Sequence, residues 1–336
     1  MIRIKSWALL VSLFGATIAQ DVAADELPTV KFGMIPVPVA HVFSAQANNL
    51  FKKHGVNVEL VKFTSGPAQF QALESGSIQI GEGAIAAFYM ARTRGLDADW
   101  VYTFGDYSPL SGVMVKPGST VKSYKDLAGK KVTAHSGSIQ HLSHIYAMMQ
   151  SGLPVDGAQH VALPPPQALP ALVNGDVDAS WLFEPLIAQA KNKGATLLAN
   201  YKDFGIRDPF GIAVNTKWLN ESEENKETLV KVIAALEEGW AVFEENPEPA
   251  IAAAIEFTGT SREITEMIVK NLVWYDAADM TSANGAVSMT NPGDSSHGLA
   301  NVLAWIDEVA MAGKLIDKTA DHADFIYEDA VIKAAK

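Results

Sequence analysis

Ala72-Leu73-Glu74-Ser75-Gly76-Ser77-Ile78-Gln79 is echoed 99 residues later by Ala171-Leu172-Val173-Asn174-Gly175-Asp176-Val177-Asp178. Each octet reads as the last turn of a helix, a glycine suited to the left-handed backbone of a C-terminal cap, and the opening of a strand. The helices also begin alike, with Pro67 and Gln69 in one and Pro166 and Gln167 in the other. Proline fits the first helical turn because its missing N–H has no partner there. A helix that stops on glycine and feeds a strand is the repeating step of a βαβ chain. Two copies in succession predict two units of like topology.

Working outward, the first unit opens with an apolar strand, Val30 to Ile35, and a helix carrying Val42, Phe43, Ala47, Leu50 and Phe51 up to Gly55. Val56, Val58 and Leu60 then alternate with Asn57 and Glu59, the period of a half-buried strand. A helix over 67–75, a strand over 78–80 and a helix over 84–93 follow. The second unit repeats this with a strand at Val132 to Ala134, a helix over 139–150, a strand near Val161 and a helix over 167–173. Beyond about residue 216 the pattern turns to longer helices, over 224–243, 248–257, 263–273 behind the capping pair Thr260 and Glu263, and 298–312. The fold class expected is α/β, with two lobes, each a mainly parallel sheet flanked by helices.

The chain has 336 residues, 48% of them apolar, enough for two domains at roughly 100 to 200 residues each. Lys+Arg 26 against Asp+Glu 38 gives a net charge of −12, which disfavours nucleic acid and anionic lipid as partners. There is no cysteine, so disulfides, thiolate metal sites, iron–sulfur clusters, cysteine nucleophiles and lipid-modified cysteine anchors are all excluded. Arg3 and Lys5 precede the apolar run Trp7 to Ala19, and Val22-Ala23-Ala24 precedes Asp25-Glu26. This is the pattern of a secretory signal peptide over 1–24, with an apolar run too short for the about 20 residues of a membrane span. An exported, acidic, cysteine-free chain has a periplasmic profile.

In open parallel sheets ligands sit beyond the carboxyl ends of the strands, where helix N-termini present free N–H groups and a positive dipole end. Four stretches fit: Pro36-Val37-Pro38, Thr64-Ser65-Gly66, Gly81-Glu82-Gly83 and Ser136-Gly137-Ser138. A serine at such a place is also the ordinary helix N-cap, so each alone is weak and their convergence is the stronger signal. The chemistry of an enzyme is poorly represented. His135 beside Ser136 has no third member of a triad, and no Gly-x-Ser-x-Gly or His-Glu-x-x-His stretch occurs. His141 and His144 share a helix face and could draw a metal with His135, but no carboxylate is spaced to complete the set. No metal, cofactor or catalytic residue is expected.

Several stretches carry a resemblance. They are His54-Gly55-Val56-Asn57-Val58-Glu59 through Ser65-Gly66-Pro67, the octet from Ala72, Lys125-Asp126-Leu127-Ala128-Gly129-Lys130-Lys131-Val132 leading to Ser136-Gly137-Ser138, and Gly175-Asp176-Val177-Asp178-Ala179 leading to Trp181-Leu182-Phe183-Glu184-Pro185. The chain resembles the periplasmic substrate-binding proteins of the nitrate, sulfonate and taurine ABC importers over most of residues 28–336. The resemblance implies the two-lobe type II periplasmic binding protein fold, lobe one over 25–113 plus 208–336 and lobe two over 114–207, closing on a small molecule. It also implies an inner-membrane permease and its ATPase as partners, with the binding protein itself a monomer. Carried over by motif, the ligand contacts would be Pro36, Val37 and His41, then Ser65, Gly66 and Gln69, then Gly83 and Ala84, then Ser136, Gly137, Ser138 and Ile139, and finally Trp181 and Glu184. The chain departs from the family at Pro36-Val37-Pro38, where many members carry an aromatic residue, and at Glu82, where the position is commonly uncharged.

Helix N-termini favour an anionic group and Glu184 suits an ammonium, so a zwitterion fits both. Taurine is the first expectation and other aliphatic sulfonates the next, with nitrate, a small aromatic acid or a pyrimidine precursor as alternative ligands. The same closed lobes could instead signal to a membrane receptor. The pyrimidine-precursor synthases of this fold use, as the family is known, a cysteine-rich motif that this chain lacks.

Overall fold

The computed structural model describes residues 27–63 and 66–335. The expected signal peptide and Ser65 lie outside the described residues. Eleven strands are described: β1 (Thr29–Met34), β2 (Asn57–Lys62), β3 (Ile80–Ala84), β4 (Ala98–Asp106), β5 (Ser111–Val115), β6 (Lys131–Thr133), β7 (Gln159–Val161), β8 (Ala179–Phe183), β9 (Thr196–Asn200), β10 (Pro209–Asn215) and β11 (Val273–Trp274). They form a six-stranded sheet, β11-β4-β10-β3-β1-β2, and a five-stranded sheet, β7-β6-β8-β5-β9.

The two sheets are built to one plan. β2-β1-β3-β10-β4 and β7-β6-β8-β5-β9 correspond strand for strand, and β3 and β8 lie 99 residues apart at both ends. Just before β3, the Gln79 side chain accepts from the Lys31 N–H at 2.9 Å; just before β8, Asp178 accepts from the Lys131 N–H at 3.0 Å. Strand direction is mainly parallel in each. β10 is antiparallel to both β3 and β4, and β5 to both β8 and β9, so, apart from the short edge strand β11, which is antiparallel to β4, each sheet holds one reversed strand between strands that run together. That reversed strand is the one that brings the chain in from the other sheet.

The chain leaves the first sheet after β4, builds the second, and returns as β10. The boundary expected between residues 113 and 114 falls inside β5, which belongs whole to the second sheet. β4 is buried at all nine positions and β10 at all seven. Strands covered on both faces carry no polar alternation, which is why neither stands out by its period.

Three expected boundaries change for local reasons. Gly81-Glu82-Gly83, read as a loop, is the middle of β3. A β-carbon at 81 would lie 2.7 Å from Leu73 and one at 83 would lie 3.2 Å from Phe88, so the glycines let helices press on the sheet. The first helix is two, Ala40–Ala47 and Leu50–Lys53, because Asn49 turns left-handed at a φ of 56°. The helix expected over 263–273 is Arg262–Asn271, capped by the Ser261 hydroxyl and not by Thr260.

The long helices seal the first sheet and reach the second. In Glu223–Glu245, the face with Leu229, Val232, Ile233 and Leu236 is buried, and Gly239 permits a close crossing: its β-carbon would stand 2.5 Å from the His41 carbonyl. The helix Gly298–Ala312 touches the helix Ile139–Gln150 of the second sheet, with Trp305 edge-on to Tyr146 at 5.4 Å. A β-carbon at Gly313 would lie 2.4 Å from Ile145. Among the described residues no helix is long and apolar enough to cross a membrane.

Candidate functional site

Strand ends from both sheets meet around two crossovers. The Tyr107 N–H bonds to the Asp208 carbonyl at 2.9 Å, so the outgoing and returning segments are tied together. Asp106 ends β4 and accepts through Oδ1 from the N–H groups of Ser108 (2.8 Å) and Asp208 (3.1 Å). Its Oδ2 lies 3.7 Å from Arg207 Nε. Burial, and after it the charge of Asp106, holds the Asp208 carboxyl well above the usual range. The Glu184 N–H donates to the Leu110 carbonyl at 2.9 Å, which brings the end of β8 against the first crossover.

Glu82 points from the centre of β3, 1% exposed, and its Oε2 accepts from the Ile35 N–H at 3.2 Å. Burial pushes its carboxyl up to about 8, and the Ile35 bond opposes that only in part. Gly83 and Ala84 complete the same strand. Pro36-Val37-Pro38 forms two tight turns, Val37 N–H to Ile35 carbonyl at 2.8 Å and Val39 N–H to Val37 carbonyl at 3.1 Å. Pro36 is exposed and Val37 buried.

In the second sheet, Ser136 is exposed, Gly137 is left-handed at a φ of 73°, and Ser138 occupies the N-cap position ahead of Ile139 without capping by its side chain. Ser138 Oγ lies 2.6 Å from the His135 carbonyl and also meets the Gln140 side-chain oxygen. The first N–H groups of this twelve-residue helix are therefore left uncapped by a side chain. A β-carbon at 137 would lie 3.1 Å from Arg94 Nη1, so a guanidinium from the first sheet's side stands over this turn. Arg94 also donates to the Leu315 carbonyl at 3.3 Å.

Glu184 is 7% exposed and accepts from the Ala188 N–H at 2.9 Å, capping the helix Leu186–Asn192. Burial raises its pKa, against the Ala188 bond and the charge of Lys191. It thus serves the helix while lying at the crossover.

Other expected contacts are engaged elsewhere. Trp181 belongs to the aromatic core of the second sheet, its N–H donating to the Tyr124 hydroxyl at 2.9 Å, beside Tyr201 and Phe204. His41 is fully buried, stacked on Trp240 at 4.9 Å and bonded to the Tyr275 carbonyl at 3.0 Å. Burial pulls its pKa down to about 3. Gln69 is buried and donates to the Gly33 carbonyl at 3.0 Å, next to Gly66 at the start of its helix. His141 and His144 stack toward His160, at 4.1 and 5.9 Å, and both are held neutral mainly by burial. Among the described residues no group of three metal-ligating side chains converges on one point.

The residues that sequence reading missed are Arg94, Asp106, Tyr107, Arg207 and Asp208. A usable signal was present: Asp106-Tyr107 and Arg207-Asp208 close and open two long apolar runs, where charge is out of place unless it is needed.

The model of the NMT1/THI5-like family matches residues 38–250, well over half of the chain. The chain belongs to that family. It is 26% identical over 222 residues to the Bacillus subtilis (strain 168) protein named "Putative aliphatic sulfonates-binding protein", covering 66% of each chain. It is 28% identical over 154 residues to the taurine-binding periplasmic protein of Escherichia coli (strain K12), covering 46% of this chain and 48% of that one. Among solved structures, the periplasmic aliphatic sulphonate binding protein SsuA of Escherichia coli superposes with a TM-score of 0.70 at 22% identity, over 89% of this chain and 92% of that one. These likenesses give the two-lobe periplasmic binding protein fold. That architecture also occurs in the desulfurization enzyme DSZB, with a TM-score of 0.62 at 12% identity, over 92% of this chain and 99% of that one. Architecture alone thus leaves function to the site.

Proposed function

We propose that the mature chain, residues 25–336, is the periplasmic solute-binding component of an ABC importer and that it captures a small organosulfonate, taurine foremost, between two lobes. One observation carries the anionic half of this reading. The uncapped N-terminus of the helix Ile139–Gln150, with its left-handed Gly137 turn, faces Arg94 from the other lobe. Three sulfonate oxygens suit a cluster of backbone N–H donors beside a guanidinium, and the helix dipole favours the same charge. The names of the relatives point the same way, to sulfonates and taurine.

Closure would turn about the crossovers at 107–110 and 205–208. Gly112 lies just beyond the first of them, in β5, where its β-carbon would meet the Ala199 carbonyl at 2.5 Å. Titration calorimetry of the mature chain against taurine, ethanesulfonate, nitrate and amino acids tests the reading. Saturable one-site binding of a sulfonate, with the ligand recovered unchanged and a smaller radius of gyration in scattering, is the expected result. Failure of every sulfonate to bind removes the substrate class, and a converted ligand restores the enzyme.

A further inference from the structure

Glu82, Tyr107 and Glu184 arrive from three separate parts of the chain, the middle of β3, the first crossover and the end of β8, and are 1%, 6% and 7% exposed. The Tyr107 ring is held edge-on between Phe183 of the second sheet, at 6.3 Å, and Phe210 of the first, at 5.5 Å. Its hydroxyl is buried and has no hydrogen-bond partner. A buried phenol ordinarily finds one, so this hydroxyl is available to something other than the protein.

The charge around that hydroxyl has one sign. Besides burial, the carboxylates of Glu82, Glu184 and Asp208 all oppose its ionisation. The nearby positive groups are engaged at the margins: Arg207 lies against Asp106, and Lys191 lies in the field of Glu184. Several carboxylates brought out of water without a matching cation are costly, and a cationic guest relieves that cost.

We propose that Glu82, Glu184 and the Tyr107 hydroxyl form a subsite for an alkylammonium group on the captured molecule, so that a zwitterion is selected over a plain anion. The proposal rests on the reading above for the anionic end of that molecule. Tyr107 accepts one ammonium proton through its oxygen while the two carboxylates supply the opposing charge from both lobes. Glu82 thus discriminates through its proton: an ammonium draws it into the charged form, whereas a plain anion leaves it neutral and gains no such contact.

The test compares matched pairs on the mature chain by calorimetry: taurine against isethionate, which replaces the ammonium by a hydroxyl, and β-alanine against propionate. The amine of each pair should bind at least tenfold tighter. Glu82→Gln and Glu184→Gln should each drive the taurine-to-isethionate ratio toward one, glutamine keeping an acceptor for the Ile35 and Ala188 N–H groups. Tyr107→Phe, which removes only the unpartnered hydroxyl, should lower that ratio several-fold without lowering the unfolding temperature, which a merely structural hydroxyl would not do. Binding repeated at pH 7 in buffers of different ionisation enthalpy should show proton release, because an ammonium draws Glu82 into its charged form. Equal affinity for taurine and isethionate, or proton uptake, overturns the subsite and leaves the sulfonate reading intact. Preference for β-alanine over propionate with no sulfonate bound upholds the subsite and removes the sulfonate. Binding of neither amine overturns both.

Discussion

Position 82 in the first sheet and position 181 in the second are counterparts, each the central residue of a strand that follows a helix capped by glycine. One is a buried glutamate satisfied by a backbone N–H; the other is a tryptophan packed among Tyr124, Tyr201 and Phe204. The shared plan fixes where the strand lies and which groups border it, and leaves the side chain free. The first sheet uses that freedom to bring charge toward the crossovers. The second uses it to fill an aromatic core.

Removing the aromatic member should have the largest effect. Trp181→Ala should cost about 3–5 kcal/mol, the range for a large buried aromatic, and should also take the indole donor from the Tyr124 hydroxyl. Denaturant unfolding with a lowered midpoint checks this. Next come the glycines of the two reversed strands. Gly211 pairs with Gly83 and Gly112 with Leu182, so they too are counterparts. A β-carbon would lie 2.0 Å from the Tyr102 carbonyl in one and 2.5 Å from the Ala199 carbonyl in the other. Gly211→Ala and Gly112→Ala should each cost about 2–3 kcal/mol by overpacking, and unequal losses would show that the two sheets only look alike.

Much of this correspondence is legible in the sequence, because helix ends, glycine caps and the strands they feed are local signals. The octets beginning at Ala72 and Ala171 contain it. The reversed strands are not legible, since Ala98–Asp106 and Pro209–Asn215 are covered on both faces and their partners are remote in sequence. Gly81-Glu82-Gly83 misleads for the opposite reason: two glycines and a charge suggest a loop, whereas the surrounding Leu73, Phe88 and Ile35 make it a strand. For the candidate site, the turn at Ser136-Gly137-Ser138 and the place of Glu184 could be read. The orientation of Trp181 and His41, and the seating of Tyr107 between Phe183 and Phe210, depend on tertiary packing.

The glutamate of the pair should make stability depend on pH. Its pKa rises from an ordinary carboxylate value to about 8 on folding, so the folded chain holds a proton that the unfolded chain has released. Its contribution is complete at low pH and is lost as pH rises toward 8. Glu82→Gln should flatten that slope, by roughly 2.5 kcal/mol across two pH units, a little under the full ~1.4 kcal/mol per unit for one proton. The other ionisable groups that face the same region are Tyr107, Glu184 and Asp208. Thermal unfolding between pH 5.5 and 7.5 checks the sign, and stability that rises with pH in the parent but not in the variant contradicts it. The smallest change lies outside the repeated plan, at the Ser261 cap of a helix with no counterpart in the second sheet. Ser261→Ala should cost about 1 kcal/mol and leave the pH slope unaltered.

The reversed strand β10 lies between β3 and β4, although residues 107–208, 102 in all, separate it from β4 in the chain. A polypeptide delivered N-terminus first therefore exposes the inner edges of both neighbours, with their N–H and C=O groups unpaired, until residue 209 arrives. Exposed strand edges are templates for wrong pairing, and closing a loop of that size delays the right one. The vulnerable period of this protein's life is the interval in which its second half exists and the keystone of its first does not.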